Sequence, residues 1–276
     1  MKLSQFLVIT LILCSLFAVP GGTSAAPQAA IAPPVPCVGC YQPPVGTTWQ
    51  WQLTGTVDTS FNVQMYDIDL FDVPQSTIDE LHGRGIKVIC YLSAGSWEDW
   101  RLDASQFPES VKGRRNGWPG EKWLDIRQIA ILGPIMEARL DLCYSKGFDG
   151  VEFDNVDGYS NRSGFPLTYQ DQLAYNTYLA NEAHERGLSA ALKNDIEQAF
   201  DLAPYFDYTI NEQCFQYNEC DYAQNSLVTN FINQGKPVFN VEYKLAKNKF
   251  CPQANAWGFS SMKKTYDLDA WMDPCW

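Results

Sequence analysis

Histidine is nearly missing from this chain, and its scarcity removes more chemistry than any abundant residue adds. The 276 residues contain two, His82 and His184. Each sits where a helix ends and a strand begins, in Glu80-Leu81-His82-Gly83-Arg84-Gly85-Ile86 and in Glu182-Ala183-His184-Glu185-Arg186-Gly187-Leu188. The helix dipole favours a basic side chain in a last turn, and in an α/β unit that is the end opposite the catalytic one. Serine–histidine–aspartate hydrolysis, cysteine–histidine catalysis and histidine-ligated zinc are therefore not expected, and no metal site is assigned. No glycine-rich phosphate loop follows a strand, which argues against a nucleotide, and no cofactor is expected. Basic residues are also few, 20 Lys and Arg against 32 Asp and Glu for a formal charge of −12. That balance argues against a nucleic-acid partner and suits a cationic ligand or simple solubility. No apolar run reaches the roughly 20 residues of a membrane-spanning helix.

What is present begins with the layout of a secretory signal peptide over residues 1–25: Lys2, an apolar stretch from Phe6 to Val19, and the small residues Thr23-Ser24-Ala25. The mature protein is expected to be extracellular. Of nine cysteines, Cys14 lies in that segment, leaving eight for an oxidising compartment. Cys214 with Cys220 is the best candidate disulfide and Cys251 with Cys275 the second. Cys37-Val38-Gly39-Cys40 lies in a Pro-rich leader, not at a strand-to-helix turn, and reads as a structural pair.

Residues 26–46 are rich in Ala and Pro with no apolar periodicity, which predicts an extended linker. Residues 47–276 then form one domain of the size of an α/β barrel. Short apolar runs predict eight buried strands: Phe61–Asp69, Ile86–Gly95, Trp123–Ile126, Val151–Asp154, Leu188–Asn194, Tyr208–Glu212, Val238–Tyr243 and Trp257–Ser260. Helical spacing between them, and glycine stops at the helix ends, favour a single (β/α)₈ barrel.

Catalytic groups of such barrels lie at the carboxyl ends of the strands. Those ends carry Asp67, Asp69, Ser93, Asp125, Asp154 with Asn155 and Asp157, Lys193-Asn194-Asp195, Glu212 and Glu242-Tyr243. Carboxylates dominate, and 14 Tyr with 9 Trp offer flat faces for sugar rings. Two carboxyl groups astride a glycosidic bond protonate the leaving oxygen and attack the anomeric carbon or activate water. A carboxylate-only calcium site is the competing use, but no EF-hand-like spacing appears. Asp67, Asp69, Asp125 and Glu242 read either as ligands of a protonated sugar amine or as ion-pair partners of Lys193 or Arg127. Tyr91 reads as a stacking platform or as packing, and Trp49 and Trp51 as closing the barrel floor or lining the cleft, with the core role favoured. Asn155, Lys193, Asn194 and Tyr243 complete the expected substrate contacts. Asn161-Arg162-Ser163 is a glycosylation sequon beside the proposed cleft.

Eight motifs in order resemble glycoside hydrolase family 114, the endo-α-1,4-polygalactosaminidases. They are Trp49–Leu53, Tyr66–Asp69, Val88–Gly95, Trp123–Arg127, Gly150–Tyr159, Leu192–Asn194, Asn211–Cys214 and Val241–Tyr243. The resemblance implies a barrel, hydrolysis within α-1,4-linked galactosamine-containing polysaccharide, a cationic substrate, and catalytic carboxylates on the fourth and sixth strands, here Asp154 and Glu212. It points to retention with Asp154 as nucleophile and Glu212 as acid/base, while the sequence itself leaves the roles exchangeable. A barrel glycosidase acting on another amino sugar or a neutral α-glycan is the nearest alternative. A non-catalytic binding barrel is disfavoured because both carboxylates are present.

Overall fold

A computed structural model describes residues 31–276, so the signal peptide expected over residues 1–25 lies outside the described residues. Twelve strands and seven α-helices follow in chain order: β1 (Trp49–Gln52), β2 (Met65–Asp69), α1 (Gln75–Gly83), β3 (Lys87–Ser93), β4 (Ser96–Glu98), β5 (Lys112–Arg115), β6 (Glu121–Leu124), α2 (Ile129–Ser145), β7 (Gly150–Asp154), α3 (Tyr169–Glu185), β8 (Ser189–Lys193), α4 (Ala199–Leu202), β9 (Tyr208–Glu212), α5 (Cys214–Tyr217), α6 (Leu227–Asn230), β10 (Val238–Glu242), α7 (Lys247–Trp257), β11 (Ser260–Lys264) and β12 (Met272–Pro274). The glycine stops work as read: Gly147 and Gly187 end α2 and α3 in the left-handed region, at φ of 81° and 74°. At its start α3 is closed by a capping box of Thr168 and Asp171.

Eight strands run parallel in the order β1-β2-β3-β7-β8-β9-β10-β11, with β12 antiparallel on β11. The sheet is a nearly closed (β/α)₈ barrel. Side chains span the seam between β1 and β11: Trp49 Nε1 donates to the Ser260 carbonyl at 2.9 Å, and Lys264 Nζ donates to Gln50 Oε1 at 3.0 Å. Strand alternation sorts the core into two layers. Trp49, Trp51, Met65, Ile89, Tyr208, Phe239, Val241 and Met262 fill the barrel, while Ile68, Val88, Leu92, Val151, Phe153 and Leu192 pack outward against the helices.

Three expectations need correction. Trp123 belongs to β6 of a separate antiparallel sheet, β4-β6-β5, inserted after β3, so β3 pairs directly with β7. The missing barrel strand is β1, whose Trp-Gln-Trp-Gln run reads by its tryptophans as core or cleft lining and not as a strand; Trp51 does both, buried in the barrel and lining the cavity above it. Trp257 ends α7 and the last parallel strand starts at Ser260. One strand lost and one gained ahead of it leave Asp154 on the fourth and Glu212 on the sixth barrel strand.

Residues 31–46 are extended, as their composition suggests, but they are docked on the barrel rather than free. Val35 N donates to Asn181 Oδ1 at 2.8 Å, Asn181 Nδ2 to the Pro33 carbonyl at 3.1 Å, and Tyr205 OH to the Ala32 carbonyl at 2.9 Å. Disulfides join Cys37–Cys40, Cys214–Cys220 and Cys251–Cys275, as the spacing suggested, and also Cys90–Cys143, which tethers β3 to α2 across 53 residues. A chain starting at Thr47 gives up the three leader hydrogen bonds together with His184–Val35 and Gln42–Asp207, and is expected to be at least about 3 kcal/mol less stable, at about 1 kcal/mol each. An unchanged denaturant midpoint would show that the leader is a passenger.

Candidate active site

On β7 the outward residues Val151 and Phe153 leave Gly150, Glu152 and Asp154 facing the barrel axis. On β9 the same alternation turns Tyr208, Ile210 and Glu212 inward, and on β8 it turns Ala191 and Lys193 inward. After each of these three strands the chain turns abruptly. Asn155, Asn194 and Gln213 follow Asp154, Lys193 and Glu212 with φ of 61°, 49° and 59°. Asparagine tolerates that left-handed backbone, and glutamine pays for it in strain, which marks a place where the surroundings dictate the turn.

Lys193 ties the two expected catalytic carboxylates together. Its Nζ lies 2.7 Å from Asp154 Oδ1 and 2.9 Å from Glu212 Oε2, and 5.1 Å from the centre of the Trp51 ring. Tyr91 OH donates to Asp154 Oδ2 at 2.7 Å and Asn155 Nδ2 to the same oxygen at 3.2 Å. Tyr243 OH donates to Glu212 Oε1, and Asn194 both donates to Glu212 Oε2 at 3.3 Å and accepts from its backbone N at 2.9 Å. Burial pushes the Asp154 carboxyl up, but the Lys193 charge and the donated hydrogen bonds outweigh it and hold the group below the usual carboxylate range. Burial likewise works against the Lys193 charge, and Asp154, Glu212 and Glu152 reverse it, so the amine is held protonated.

Among the expected substrate contacts, Asn155, Lys193, Asn194 and Tyr91 join Asp154 and Glu212 along a cavity of about 770 Å³. Tyr91 is bonded to Asp154, so it positions the carboxylate rather than stacking. Asp69 lines the cavity too, but Arg101 grips both its oxygens, at 3.0 and 2.6 Å. Asp125 is held by Arg127 at 2.6 and 2.8 Å, the ion-pair alternative. Asp67 and Glu242 do not reach the cavity surface; both are fully buried. Glu242 follows inward Val241, so it points out of the barrel and accepts from Phe215 N at 2.9 Å.

The cavity also holds residues that strand ends could not reveal. The insertion after β3 brings Glu98, Trp100, Arg101, Trp118 and Glu121, and the loop after β11 brings Tyr266. Glu98 is buried against Arg101, and burial raises its carboxyl to about 7 despite that guanidinium. Asp157, in the polar segment after β7, also faces the cavity. No side chain among the described residues donates a hydrogen bond to it, and burial with the nearby Asp154 raises it to about 6. A grouping with metal-ligand spacing, Cys37, His184 and Asp207, sits at the other end of the barrel. There Cys37 is in a disulfide and both His184 ring nitrogens are hydrogen-bonded, to Val35 O and Asp207, so it offers an ion no free ligand set.

Paired carboxyl groups under an ammonium, in an open cleft walled by aromatics, suit glycosidic bond cleavage. The sequence profile of glycoside-hydrolase family GH114 matches residues 33–276. The chain belongs to that family and is a glycoside hydrolase. Aspergillus fumigatus Ega3, solved in complex with galactosamine, is 43% identical, with 85% of this chain and 97% of that one covered and a TM-score of 0.79. The glycoside hydrolase domain of Pseudomonas aeruginosa PelA shares the fold at 13% identity, with 80% and 96% covered and a TM-score of 0.62. A Deinococcus radiodurans protein described as uncharacterized is 26% identical over 230 residues, 71% of each chain.

Two substitutions probe this geometry. Lys193→Met leaves Asp154 and Glu212 half-buried without a cation, which typically costs about 3–5 kcal/mol of stability. With the depressing charge gone, the Asp154 carboxyl rises, so the acid limb of kcat/KM should move to higher pH; a limb that stays in place would show that another group controls ionisation. Gly95→Ala places a Cβ 1.7 Å from the Asn155 carbonyl oxygen, forcing the Asp154–Asn155 turn aside. A crystal structure of that variant should show the displacement, with turnover reduced.

Proposed function

We propose that this chain is a secreted, endo-acting hydrolase of α-1,4-linked, galactosamine-containing polysaccharide that retains anomeric configuration, with Asp154 as nucleophile and Glu212 as acid/base. The shared contact with Lys193 carries the mechanistic part. With Nζ at 2.7 and 2.9 Å, the two bridged oxygens are no farther apart than those contacts laid end to end. That is shorter than the roughly 6.5 Å at which inverting pairs begin and fits the roughly 5–5.5 Å of retaining ones.

In the first step Glu212 gives its proton to the glycosidic oxygen while an Asp154 oxygen bonds to the anomeric carbon and the leaving chain departs. In the second, Glu212 takes a proton from water, the water oxygen replaces Asp154, and the carboxylate is released. Donors from Tyr91, Asn155 and Lys193 keep Asp154 ionised for attack and make it a competent leaving group afterwards. Trp100 beside Arg101 and Tyr266 packed on Tyr243 are both exposed along the cavity, on the Asp69 side and the Glu212 side of the centre. Platforms on both sides favour internal cuts in a bound polymer. The galactosamine complex of Ega3 and the unpaired Asp157 carboxylate support an amino-sugar substrate. The signal-like residues 1–25 and four disulfides support export.

Asp154→Asn and Glu212→Gln should each lower kcat by roughly 10²–10⁴ or more on deacetylated galactosaminogalactan, with the fold intact by circular dichroism. Near-normal release of reducing ends from either folded variant would refute the site. For substrate charge, Asp157 ionises as pH rises through about 6, so KM for the free-amine polymer should fall over that range and rise with added salt. Asp157→Asn should flatten both trends. Equal KM for a fully acetylated polymer, with no salt dependence, would remove the amine from the recognition.

A further inference from the structure

Two more carboxyl groups lie beneath the catalytic pair, and neither step above uses them. Asp67 on β2 and Glu152 on β7 face the barrel axis with no exposed surface. All four of their oxygens lack a hydrogen-bond donor among the described residues, yet the two groups lie within hydrogen-bonding reach of each other. Ionised carboxylates only accept hydrogen bonds, so a bond between these two requires a proton. The ionisable groups facing them are Lys193 from β8, Asp154 from β7, and Glu212 and Tyr208 from β9. Lys193 is the one cation of this set. Its Nζ is 3.8 Å from Glu152 Oε1, against 2.7 and 2.9 Å to the catalytic carboxylates.

We propose that Asp67 and Glu152 form a neutral acid pair, protonated at working pH and hydrogen-bonded to each other, that positions Lys193 by offering its charge no competing anion from below. An ionised Glu152 in this buried interior would draw the ammonium down and away from Asp154 and Glu212. Burial favours the neutral form of both: it drives Asp67 well above the usual carboxylate range and Glu152 up to about 8. The pair explains why the acid expected to bind substrate at Asp67 is out of a sugar's reach.

Neither test needs a substrate, so the outcome is independent of which sugar is cut. The difference infrared spectrum between the wild type and Glu152→Gln at neutral pH should show loss of a protonated carboxylic C=O stretch that shifts in heavy water; no lost band overturns the proposal. Stability against pH gives the second readout. Folded Glu152 holds a proton that the unfolded chain releases near about 4.3, so the wild type loses stability as pH rises from there towards about 8. Glu152→Gln has no such loss, and its denaturant midpoint should climb relative to wild type across that window. A pH-independent difference overturns the proposal. If Glu152→Gln fails to fold, the same two measurements on Asp67→Asn decide.

Discussion

Lys193 carries a positive charge into a barrel end where Asp154, Glu212, Tyr91 and Tyr243 gather, and the site depends on where that charge rests. Taking an ammonium out of water costs several kcal/mol unless anions answer it. Asp154 and Glu212 answer it directly, the Trp51 ring face adds a weaker attraction, and the shortest distances decide that this pair holds it rather than Glu152. The arrangement also fixes strand register. Lys193 lies beside Ile210 in the β8–β9 ladder, and Leu192 beside Phe153 in the β7–β8 ladder. A one-residue slip of β8 would turn Lys193 into the helix layer and Leu192 into the cleft, leaving both carboxylates unpaired.

The sequence shows the barrel through its strand–helix alternation and its glycine stops, and it shows Asp154 and Glu212 because an apolar strand that breaks into polar residues is visible without coordinates. It hides whatever depends on which way a side chain faces. Val238–Glu242 is buried on both sides, as parallel strands are, so nothing in its letters tells that Glu242 faces the helices and Tyr243 the site. Asp67 is hidden for the related reason that a strand-end carboxylate and one lying a layer deeper read alike. Two helix-end histidines were legible by position, because a last-turn site is marked by the glycine stop that follows it; their partners Asp149 and Asp207, just ahead of β7 and β9, were not. The Cys90–Cys143 pairing was not, because 53 residues separate partners that only the packing of α2 on the sheet brings together.

The overall acidity of the chain is a poorer guide to substrate charge than the pairing of individual acids. Asp69 at the end of β2 and Glu98 on the inserted sheet are answered by Arg101, and Glu121 accepts from Ser96 and Asn116. Asp125 is answered by Arg127, and Asp67 with Glu152 is buried below. Once the paired acids are set aside, Asp157 and Asp267 remain as cavity-lining carboxylates to which no side chain among the described residues donates, and Asp157 is the one in the segment just after Asp154. A ligand cation gains most where a charge has been left unanswered, because there it replaces water and breaks no existing ion pair. On the amino-sugar reading proposed above, selectivity for an amine over its acetylated form rests on such unanswered carboxylates, Asp157 lying nearer to Asp154, while the paired acids hold the cleft in shape.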